Sequence, residues 1–417
     1  MKFAHSLGFV VIWALLAGNA AAQEGFYLKD GDRVVFYGDS ITDQRLYTTF
    51  TETFVLTRFP QMKVEFIHSG WGGDRVTGGG GGPIEVRLNR DVIIHRPTVI
   101  TIMLGMNDGR YRAFDQDIFN TFSSGYEKMT LTLRAALPAA RMTLIQPSPY
   151  DDVTRAPGFE GGYNGVLVRY GEFVKHLAQR EGLGVADLNT AVVAALRKAS
   201  AAEPALAQRI IPDRVHPSAG GHLLMAGALL KAWNAPGVVS SVEIDAAGGR
   251  TVRMENCVVA DLQSGNALGW TQTDKALPMP LDQRDSVSSL ALNSSDFVQT
   301  LDQELMKVTG LKDSEYVLTI DGEEIGAFTG AALAEGINLA TLPTPMSRQA
   351  GAVHTLTLKH NNIHFARWRQ IQLPLDNDEL LQKPAALGIL DSLEAELVRE
   401  QRLRAQPKSH RFELKAK

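Results

Sequence analysis

The sequence predicts an α/β fold in which a parallel sheet is covered by helices on both faces. Between residues 33 and 234, short β-rich runs alternate with helical patterns. Strands that alternate with helices form parallel sheets joined by right-handed crossovers. Several of the runs are continuously apolar, as at residues 99–104, which is typical of strands covered on both sides. We therefore expect the ligand site beyond the carboxyl ends of the strands.

The elements of this α/β region are five strands and six helices. The predicted strands are residues 33–37, 63–68, 98–104, 141–146 and 184–188. The predicted helices are residues 46–58, 84–95, 116–137, 165–181, 190–200 and 219–233. Together they define a first domain over residues 23–237.

A second, β-rich accessory domain is predicted for residues 238–375, after Pro236-Gly237. Its firmest element is a hairpin in which residues 316–320 and 323–328 are joined by Asp-Gly, a pair that favours a type I′ turn. Residues 353–359 and 368–375 are further predicted strands. A short helix is expected at residues 331–335.

Residues 376–417 are predicted to form a C-terminal helical segment. Leu390, Leu393 and Leu397 share one face of an amphipathic helix that we expect to pack back on the protein. The charged residues of this helix are expected to form a solvated face. They are Glu394, Glu396, Arg399, Glu400, Arg402 and Arg404.

Residues 1–22 have the pattern of an export signal. Lys2 and His5 precede an apolar stretch at residues 7–17, and small residues follow up to Ala22. The apolar stretch is too short to span a bilayer, and no other stretch is long enough. We expect cleavage after Ala22, export to the periplasm or the extracellular space, and no stable membrane insertion.

Charge and cysteine content exclude several classes of function. The 417-residue chain has a formal net charge of −4, so it offers no basic field for nucleic acid. Cys257 is the only cysteine, which rules out an internal disulfide and a cysteine-based metal site. We expect Cys257 to be a small buried residue.

A serine after the first predicted strand is a candidate nucleophile. The run Gly-Asp-Ser-Ile-Thr at residues 38–42 precedes a helix, so Ser40 stands where free N–H groups stabilise a developing anion. Taken alone, the motif favours a simple helix cap formed by Asp39, Ser40 or Thr42. It also lacks the Gly-x-Ser-x-Gly elbow of ordinary α/β-hydrolases.

Glycines follow the second predicted strand in two groups. In Ser-Gly-Trp-Gly-Gly-Asp at residues 69–74 they allow the backbone to approach a ligand and direct an N–H group at it. Arg75 stands where a dinucleotide-binding motif needs a third glycine. The run at residues 78–82 ends in Pro83, without the lysine of a phosphate loop, and predicts a flexible surface loop.

An asparagine follows the third predicted strand. In Gly-Met-Asn-Asp at residues 105–108, the Asn107 amide can donate a hydrogen bond to a carbonyl oxygen that becomes negative. In isolation, the same run is an ordinary turn.

An Asp-x-x-His motif precedes the last predicted helix of the α/β region. At residues 213–217, His216 can accept a proton near neutral pH, and Asp213 can hold its other ring nitrogen. With Ser40, these residues have the chemistry of a hydrolytic triad. Alone, the motif is more often a structural pair or half of a metal site, but no further ligand stands nearby at metal spacing.

In this order along residues 33–234, the four motifs resemble the conserved blocks of the SGNH (GDSL) hydrolase superfamily. The resemblance implies a flavodoxin-like three-layer α/β/α sandwich. It also implies that Ser40 is the nucleophile, His216 the base and Asp213 the residue that orients the base.

The same resemblance implies an oxyanion hole, and the sequence departs from the family pattern at one position. The backbone N–H groups of Ser40 and Gly73 and the side chain of Asn107 would form the hole. Members of the superfamily often have asparagine where His68 stands. Trp71 is predicted either as a pocket wall or as a core residue, and the loop at residues 147–164 is expected to border the cleft.

The function implied is that of an exported serine esterase that needs no cofactor and no metal. Exported members of this size often resemble polysaccharide deacetylases, so the expected partner is a small-molecule or polysaccharide ester substrate, and acetyl groups on a carbohydrate are the expected target. A lysophospholipase or a general short-chain carboxylesterase is the alternative enzyme. A non-catalytic glycan-binding or scaffold protein, working through residues 238–375, is the alternative of another class.

Overall fold

The computed structural model describes residues 25–282, 284–312, 314–376 and 378–417. The predicted export signal at residues 1–22 lies outside these described residues. Within them, no helix combines the length and the apolar character that a membrane crossing requires.

Over residues 25–237, the described part of the first unit, the chain forms eight helices and seven strands. The strands are β1 (Arg33–Gly38), β2 (Glu65–Gly70), β3 (Gly78–Gly79), β4 (Gly82–Pro83), β5 (Val99–Met103), β6 (Arg141–Ile145) and β7 (Gly184–Ala186). The helices are α1 (Ser40–Asp43), α2 (Leu46–Arg58), α3 (Ile84–Asp91), α4 (Gln116–Ala136), α5 (Gly162–Glu181), α6 (Leu188–Ala202), α7 (Pro204–Ala207) and α8 (Ala219–Ala232), with a 3-10 turn at Ile93–His95.

Five of these strands form a parallel sheet in the order β2-β1-β5-β6-β7. Every residue of β5, at the centre of the sheet, is buried. Helix α8 contacts both α2 and α6, while α4 contacts both α3 and α5. The fold is therefore the predicted flavodoxin-like sandwich, and the five predicted strands and six predicted helices are confirmed with small shifts at their ends.

In the described residues after 237, the chain forms nine strands and five helices. The strands are β8 (Val238–Asp245), β9 (Arg250–Glu255), β10 (Cys257–Gln263), β11 (Ala267–Asp274), β12 (Gln303–Thr309), β13 (Glu315–Ile320), β14 (Glu323–Thr329), β15 (Ile337–Asn338) and β16 (Ser409–Ala416). The helices are α9 (Ser286–Asn293), α10 (Phe297–Leu301), α11 (Gly330–Glu335), α12 (Pro345–Phe365) and α13 (Lys383–Arg404), with a 3-10 turn at Leu339–Thr341 and a π-helical segment at Ala366–Gln372.

These strands form two sheets, in the orders β15-β12-β8-β9 and β10-β11-β16-β13-β14. The predicted hairpin is confirmed, and Asp321 and Gly322 have the positive φ angles, 53° and 81°, of a type I′ turn. Cys257 is buried, as expected. Helices α9 and α10 were not predicted, and their side chains Val287, Leu290 and Phe297 join the core of the first unit.

Two strand predictions in this half are wrong. Residues 353–359 lie in α12, and residues 368–375 continue as the π-helical segment and a turn. Alternation of threonine and leucine at residues 355–358 is typical of a strand. In the structure, Val353, Thr357 and Asn361 are buried at helical spacing. Because this buried face is largely polar, hydrophobicity does not reveal its period.

The prediction for residues 376–417 is only partly correct. Helix α13 forms and contacts α12, but Leu393 is 38% exposed. Glu394, expected in solvent, lies against α12 with a carboxylate oxygen 3.1 Å from Nδ1 of His364. Strand β16 was missed, although buried Phe412 and Leu414 alternate with charged residues. It lies between β11 and β13, so the end of the chain completes a sheet.

Candidate active site

The carboxyl ends of three neighbouring strands bring the motifs together. Gly38 of β1 pairs with Gly70 of β2 and with Met103 of β5. A Cβ on Gly70 would overlap the backbone of Asp43 in α1, so glycine allows β2 to end directly against that helix. The loops after β1, β2 and β5 consequently share one edge of the sheet.

Ser40 is the first residue of α1, and Asp39 is its cap. The carboxylate of Asp39 accepts a hydrogen bond of 3.0 Å from the backbone N–H of Ile41. Thr42 is engaged elsewhere, with its hydroxyl 3.0 Å from that of Tyr47. The capping interpretation thus holds for Asp39. Ser40 is not the cap, and its Oγ lies 2.8 Å from Nε2 of His216.

Asp213 holds the other side of the imidazole. Its Oδ2 lies 2.7 Å from Nδ1 of His216, and its Oδ1 accepts hydrogen bonds from the backbone N–H groups of Val215 (2.9 Å) and His216 (2.7 Å). Partial burial raises the pKa of Asp213, but the hydrogen bonds from the His216 backbone and ring outweigh it and place this pKa below its ordinary value. A continuous path of hydrogen bonds therefore links Asp213 to Ser40.

The glycine loop passes beside the serine. A Cβ placed on Gly72 would lie 4.0 Å from the Cβ of Ser40, whereas one on Gly73 would meet nothing within 4 Å. Gly73 has a φ of +77°, a conformation that favours glycine. The open space at Gly73 leaves room for a ligand atom next to its backbone.

Asn107 lies next to this loop and is 9% exposed. Its Nδ2 donates a hydrogen bond of 3.0 Å to the carbonyl oxygen of Asp74, and its Oδ1 accepts one of 2.9 Å from the Tyr111 hydroxyl. Because an amide nitrogen carries two hydrogens, one remains for a further acceptor. The side-chain orientation of Asn107 is thus fixed from two sides.

The glycine run at residues 78–82 is not the flexible surface loop that was predicted. Strands β3 and β4 form a small hairpin, and a Cβ on Gly79 or Gly80 would overlap the carbonyl oxygens of Gly73 and Gly72. At Gly79 and Gly80, glycine is required because the backbone packs directly on the loop beside Ser40.

Arg87 fixes the same loop from the protein interior. It is fully buried, donates hydrogen bonds to Oδ2 of Asp74 (2.5 Å) and the carbonyl oxygen of Ser69 (2.8 Å), and also pairs with Asp91. Such a paired and hydrogen-bonded cation is the form in which charge is tolerated in a core.

The loop at residues 147–164 supports the loop of Asp213 and His216, a role that was not predicted. Arg155 donates hydrogen bonds to the carbonyl oxygens of Ile211 (3.1 Å) and Pro212 (2.9 Å), and to the buried carboxylate of Asp151 (3.0 Å). No sequence motif marks Arg155, since all of its backbone partners lie more than fifty residues away.

His68 does not enter the site. Its ring is buried, with Nδ1 2.7 Å from the Thr48 hydroxyl and Nε2 3.2 Å from Glu52. Burial holds the pKa of His68 well below its ordinary value.

Trp71 contacts Trp368 edge to face, with ring centroids 5.8 Å apart.

Two buried carboxyl groups lie behind the strand ends. Burial raises the pKa of Asp39 and of Asp108 to about 7 in each case. The backbone N–H of Val76 donates to Asp108 at 3.0 Å, so this side chain ties the β2 loop to the β5 loop. Within the part of the chain that the structure describes, no group of three or more potential metal ligands is found.

Comparisons with known proteins find similar sequences and structures. Residues 36–224 match the model of the GDSL-like Lipase/Acylhydrolase family. The acetylxylan esterase of Geobacillus stearothermophilus is 24% identical over 224 residues, which are 49% of this chain and 94% of the esterase. A solved structure of that bacterium's acetylxylan esterase Axe2 is 21% identical and covers 50% of this chain and 96% of its own, with a TM-score of 0.41.

A second solved structure extends over nearly the whole molecule. It is that of a gut microbial diltiazem-metabolizing enzyme, which is 26% identical and covers 94% of this chain and 98% of its own, with a TM-score of 0.80. The similarity therefore includes the C-terminal β-rich region as well as the parallel sheet.

A GDSL-like acylhydrolase domain built on the parallel sheet makes the protein a carboxylic ester hydrolase. Residues 36–224 thus form a GDSL-like acylhydrolase domain, and an additional C-terminal β-rich region follows it. The predicted family and enzyme class are confirmed.

Proposed function

We propose that the protein is a serine esterase in which Ser40 is the nucleophile, His216 the general base and Asp213 the residue that orients it. The observation that carries the proposal is the hydrogen-bonded path of 2.7 Å and 2.8 Å from Asp213 through His216 to the Ser40 hydroxyl. A serine whose base is itself held by a carboxylate has the arrangement of an activated nucleophile.

In the proposed reaction, Oγ of Ser40 forms a bond to the ester carbonyl carbon while Nε2 of His216 takes the hydroxyl proton. The carbonyl oxygen becomes an anion, which accepts hydrogen bonds from the N–H groups of Ser40 and Gly73 and from Nδ2 of Asn107. The protonated His216 then donates its proton to the departing alcohol. Water then attacks the carbonyl carbon of the acyl-enzyme while Nε2 of His216 takes one of its protons. The bond to Oγ of Ser40 breaks, His216 returns the proton to Oγ, and the acid is released.

The substrate we propose is an acetylated carbohydrate. One supporting observation is the similarity to an acetylxylan esterase. Another is the aromatic rim beside the proposed oxyanion hole. Tyr111 is 45% exposed while its hydroxyl holds Asn107, and its ring lies 6.3 Å from that of Tyr150. Aromatic rings with a polar tip suit a ligand that presents both C–H groups and hydroxyls.

Turnover of a short-chain aryl ester by the Ser40→Ala variant tests the mechanism. We expect kcat to fall by about 10⁶-fold, as for removal of the serine from a triad. Ser124→Ala, in an exposed position of α4, is the matched control and should keep the turnover of the wild type. Activity of the Ser40 variant equal to that of the control would reject the assignment.

Two assays test the substrate. Acetate release from a panel of acetylated polysaccharides should identify at least one that is deacetylated, and acetyl esters should be preferred over octanoyl esters of the same alcohol. A preference for octanoyl esters or for lysophospholipids would favour the alternative enzyme. Binding of glycan without any Ser40-dependent hydrolysis would favour a scaffold protein.

We also propose that the enzyme is exported. The support is the order of charged, apolar and small residues at positions 2–22. Expression of the full chain in a bacterium, followed by N-terminal sequencing of the protein from the periplasm or medium, should yield a chain that starts at Gln23. Recovery of the whole chain from the cytoplasm with residues 1–22 intact would contradict this.

A further inference from the structure

The π-helical segment that follows α12 reaches the loop beside Ser40. Its Arg369 lies over the indole ring of Trp71, with the guanidinium carbon 3.0 Å from the ring centroid. One terminal nitrogen donates a hydrogen bond of 3.4 Å to the carbonyl oxygen of Gly70, and the other lies 3.7 Å from Oδ2 of Asp43. One side chain from the C-terminal region thus contacts the glycine loop at two consecutive residues.

Asp43 connects this contact to the nucleophile. It is the last residue of the helix that begins with Ser40, and its Oδ2 accepts a hydrogen bond of 3.3 Å from the backbone N–H of Gly72. Arg369 and Gly72 therefore share one carboxylate oxygen. The chain from Gly70 to Gly72 is held between Arg369 on one side and the helix of Ser40 on the other.

The neighbouring arginine of the segment has a different role. Arg367 pairs with Asp391 of α13, so it joins the two C-terminal helices to each other. The side chain of Arg369 is 17% exposed and turns to the first unit instead. Side chains two positions apart do not share a face of a helix, so Arg367 and Arg369 reach different partners.

We propose that Arg369 is a positioning residue that holds the loop of residues 70–73 so that the N–H of Gly73 faces the developing oxyanion. The inference rests on the proposed function of Ser40 and Gly73. Cation–π contact with Trp71 and the hydrogen bond to Gly70 act on the loop only from outside, so Arg369 itself does not touch the reacting atoms. The oxyanion charge exists only in the transition state, and a small displacement of its hydrogen-bond donor weakens the stabilisation of that charge. The loss of Arg369 should therefore lower kcat and leave KM nearly unchanged.

Arg369→Met, which keeps length but removes charge and donors, tests this with Arg367→Met as its matched control. With an aryl acetate, we expect kcat of the Arg369 variant to fall about tenfold or more while KM stays within about twofold. Its affinity for a boronic acid, which forms a tetrahedral adduct with the serine, should fall by the same factor. Arg367→Met should change neither quantity. If Arg369→Met shows no cooperative thermal unfolding, Arg369→Gln takes its place.

A folded Arg369 variant with wild-type kcat and wild-type boronic acid affinity would overturn the inference. An equal loss in the Arg367 variant would also overturn it, because the effect would then be one of general stability. Failure of the proposed function looks different, since the wild type itself would then show no Ser40-dependent turnover and no boronic acid binding.

Discussion

Asp213, in the loop beyond the carboxyl ends of the parallel strands, differs from the acidic residues inside the β-rich region. Asp213 has a 55% exposed side chain, and hydrogen bonds hold its pKa below the ordinary value against the effect of burial. Glu304 of β12 is fully buried. Burial and the neighbouring carboxyl groups of Asp274 and Asp302 raise the pKa of Glu304 well above the ordinary value.

The difference separates residues available for chemistry from residues that maintain the fold. A charged, partly exposed carboxylate can stabilise a cation that forms during a reaction. A buried carboxyl group that keeps its proton cannot, and it affects mainly the free energy of unfolding. Changes at the sheet edge should therefore alter turnover, and changes around β12 should alter stability.

His216→Ala should produce the largest effect among the changes considered next. Without an acceptor for the Ser40 proton, kcat should fall by about 10⁵–10⁶-fold, while the thermal unfolding temperature changes little because the ring is partly exposed. Steady-state kinetics with an aryl acetate measure this. His176→Ala, on α5, is the matched control. A loss of less than tenfold for His216→Ala would remove the distinction between the regions.

Asp213→Ala should lower kcat less than His216→Ala does. The loss should be roughly 10- to 100-fold smaller than the loss in His216→Ala. The imidazole remains as a base, but its orientation is no longer held by the 2.7 Å contact. The same assay ranks the two variants. Equal losses would mean that the carboxylate is required for more than orientation, and no loss would mean that the contact is dispensable.

Asn107→Ala should lower kcat by about 10²–10³-fold, the usual effect of losing one oxyanion donor. KM should change little, because the donor acts mainly on the transition state. Asn120→Ala, in an exposed position of α4, serves as control. If KM rises while kcat is unchanged, Asn107 binds the ground state and lies outside the proposed oxyanion hole.

Glu304→Gln should leave kcat at pH 7 unchanged and alter the pH dependence of stability. Above the ordinary pKa of 4.5 the unfolded chain releases a proton that folded Glu304 retains. The contribution of Glu304 to the free energy of unfolding therefore falls as pH rises, by at most about 1.4 kcal/mol per pH unit, until the folded pKa is passed. Glutamine has no such proton, so the decline should be shallower in the variant.

Chemical denaturation at pH 5, 7 and 9 measures this decline. The matched control is Glu243→Gln on neighbouring β8, whose carboxylate is partly exposed and pairs with Lys307 at 3.3 Å. It should follow the pH dependence of the wild type. Parallel curves for the wild type and Glu304→Gln would show that Glu304 is not the source of the decline.

The same contrast explains which parts of the molecule could be predicted from sequence. At the sheet edge, strands, glycines and caps are local features, so the run at residues 38–42 and the loop at residues 69–74 were visible as motifs. In α12 the buried positions Thr357, His360 and Asn361 are polar. The hydrophobicity of the sequence therefore does not show the helical period of these buried positions.

Residues that support the site from a distance gave no sequence signal. Arg155 and Arg369 act on loops that precede or follow them by many residues, and the contacts arise only from the packing of whole elements. Strand β16 is a different case, because the alternation of Phe412 and Leu414 with charged residues was a usable signal. The helical pattern of the preceding residues obscured it.

Labelling with a fluorophosphonate probe tests the central claim most directly. A serine activated by His216 should form one covalent adduct, and peptide mapping by mass spectrometry should place it on Ser40. The adduct should be absent in Ser40→Ala and form far more slowly in His216→Ala. An intact, folded protein that remains unlabelled, or an adduct on another serine, would contradict the account.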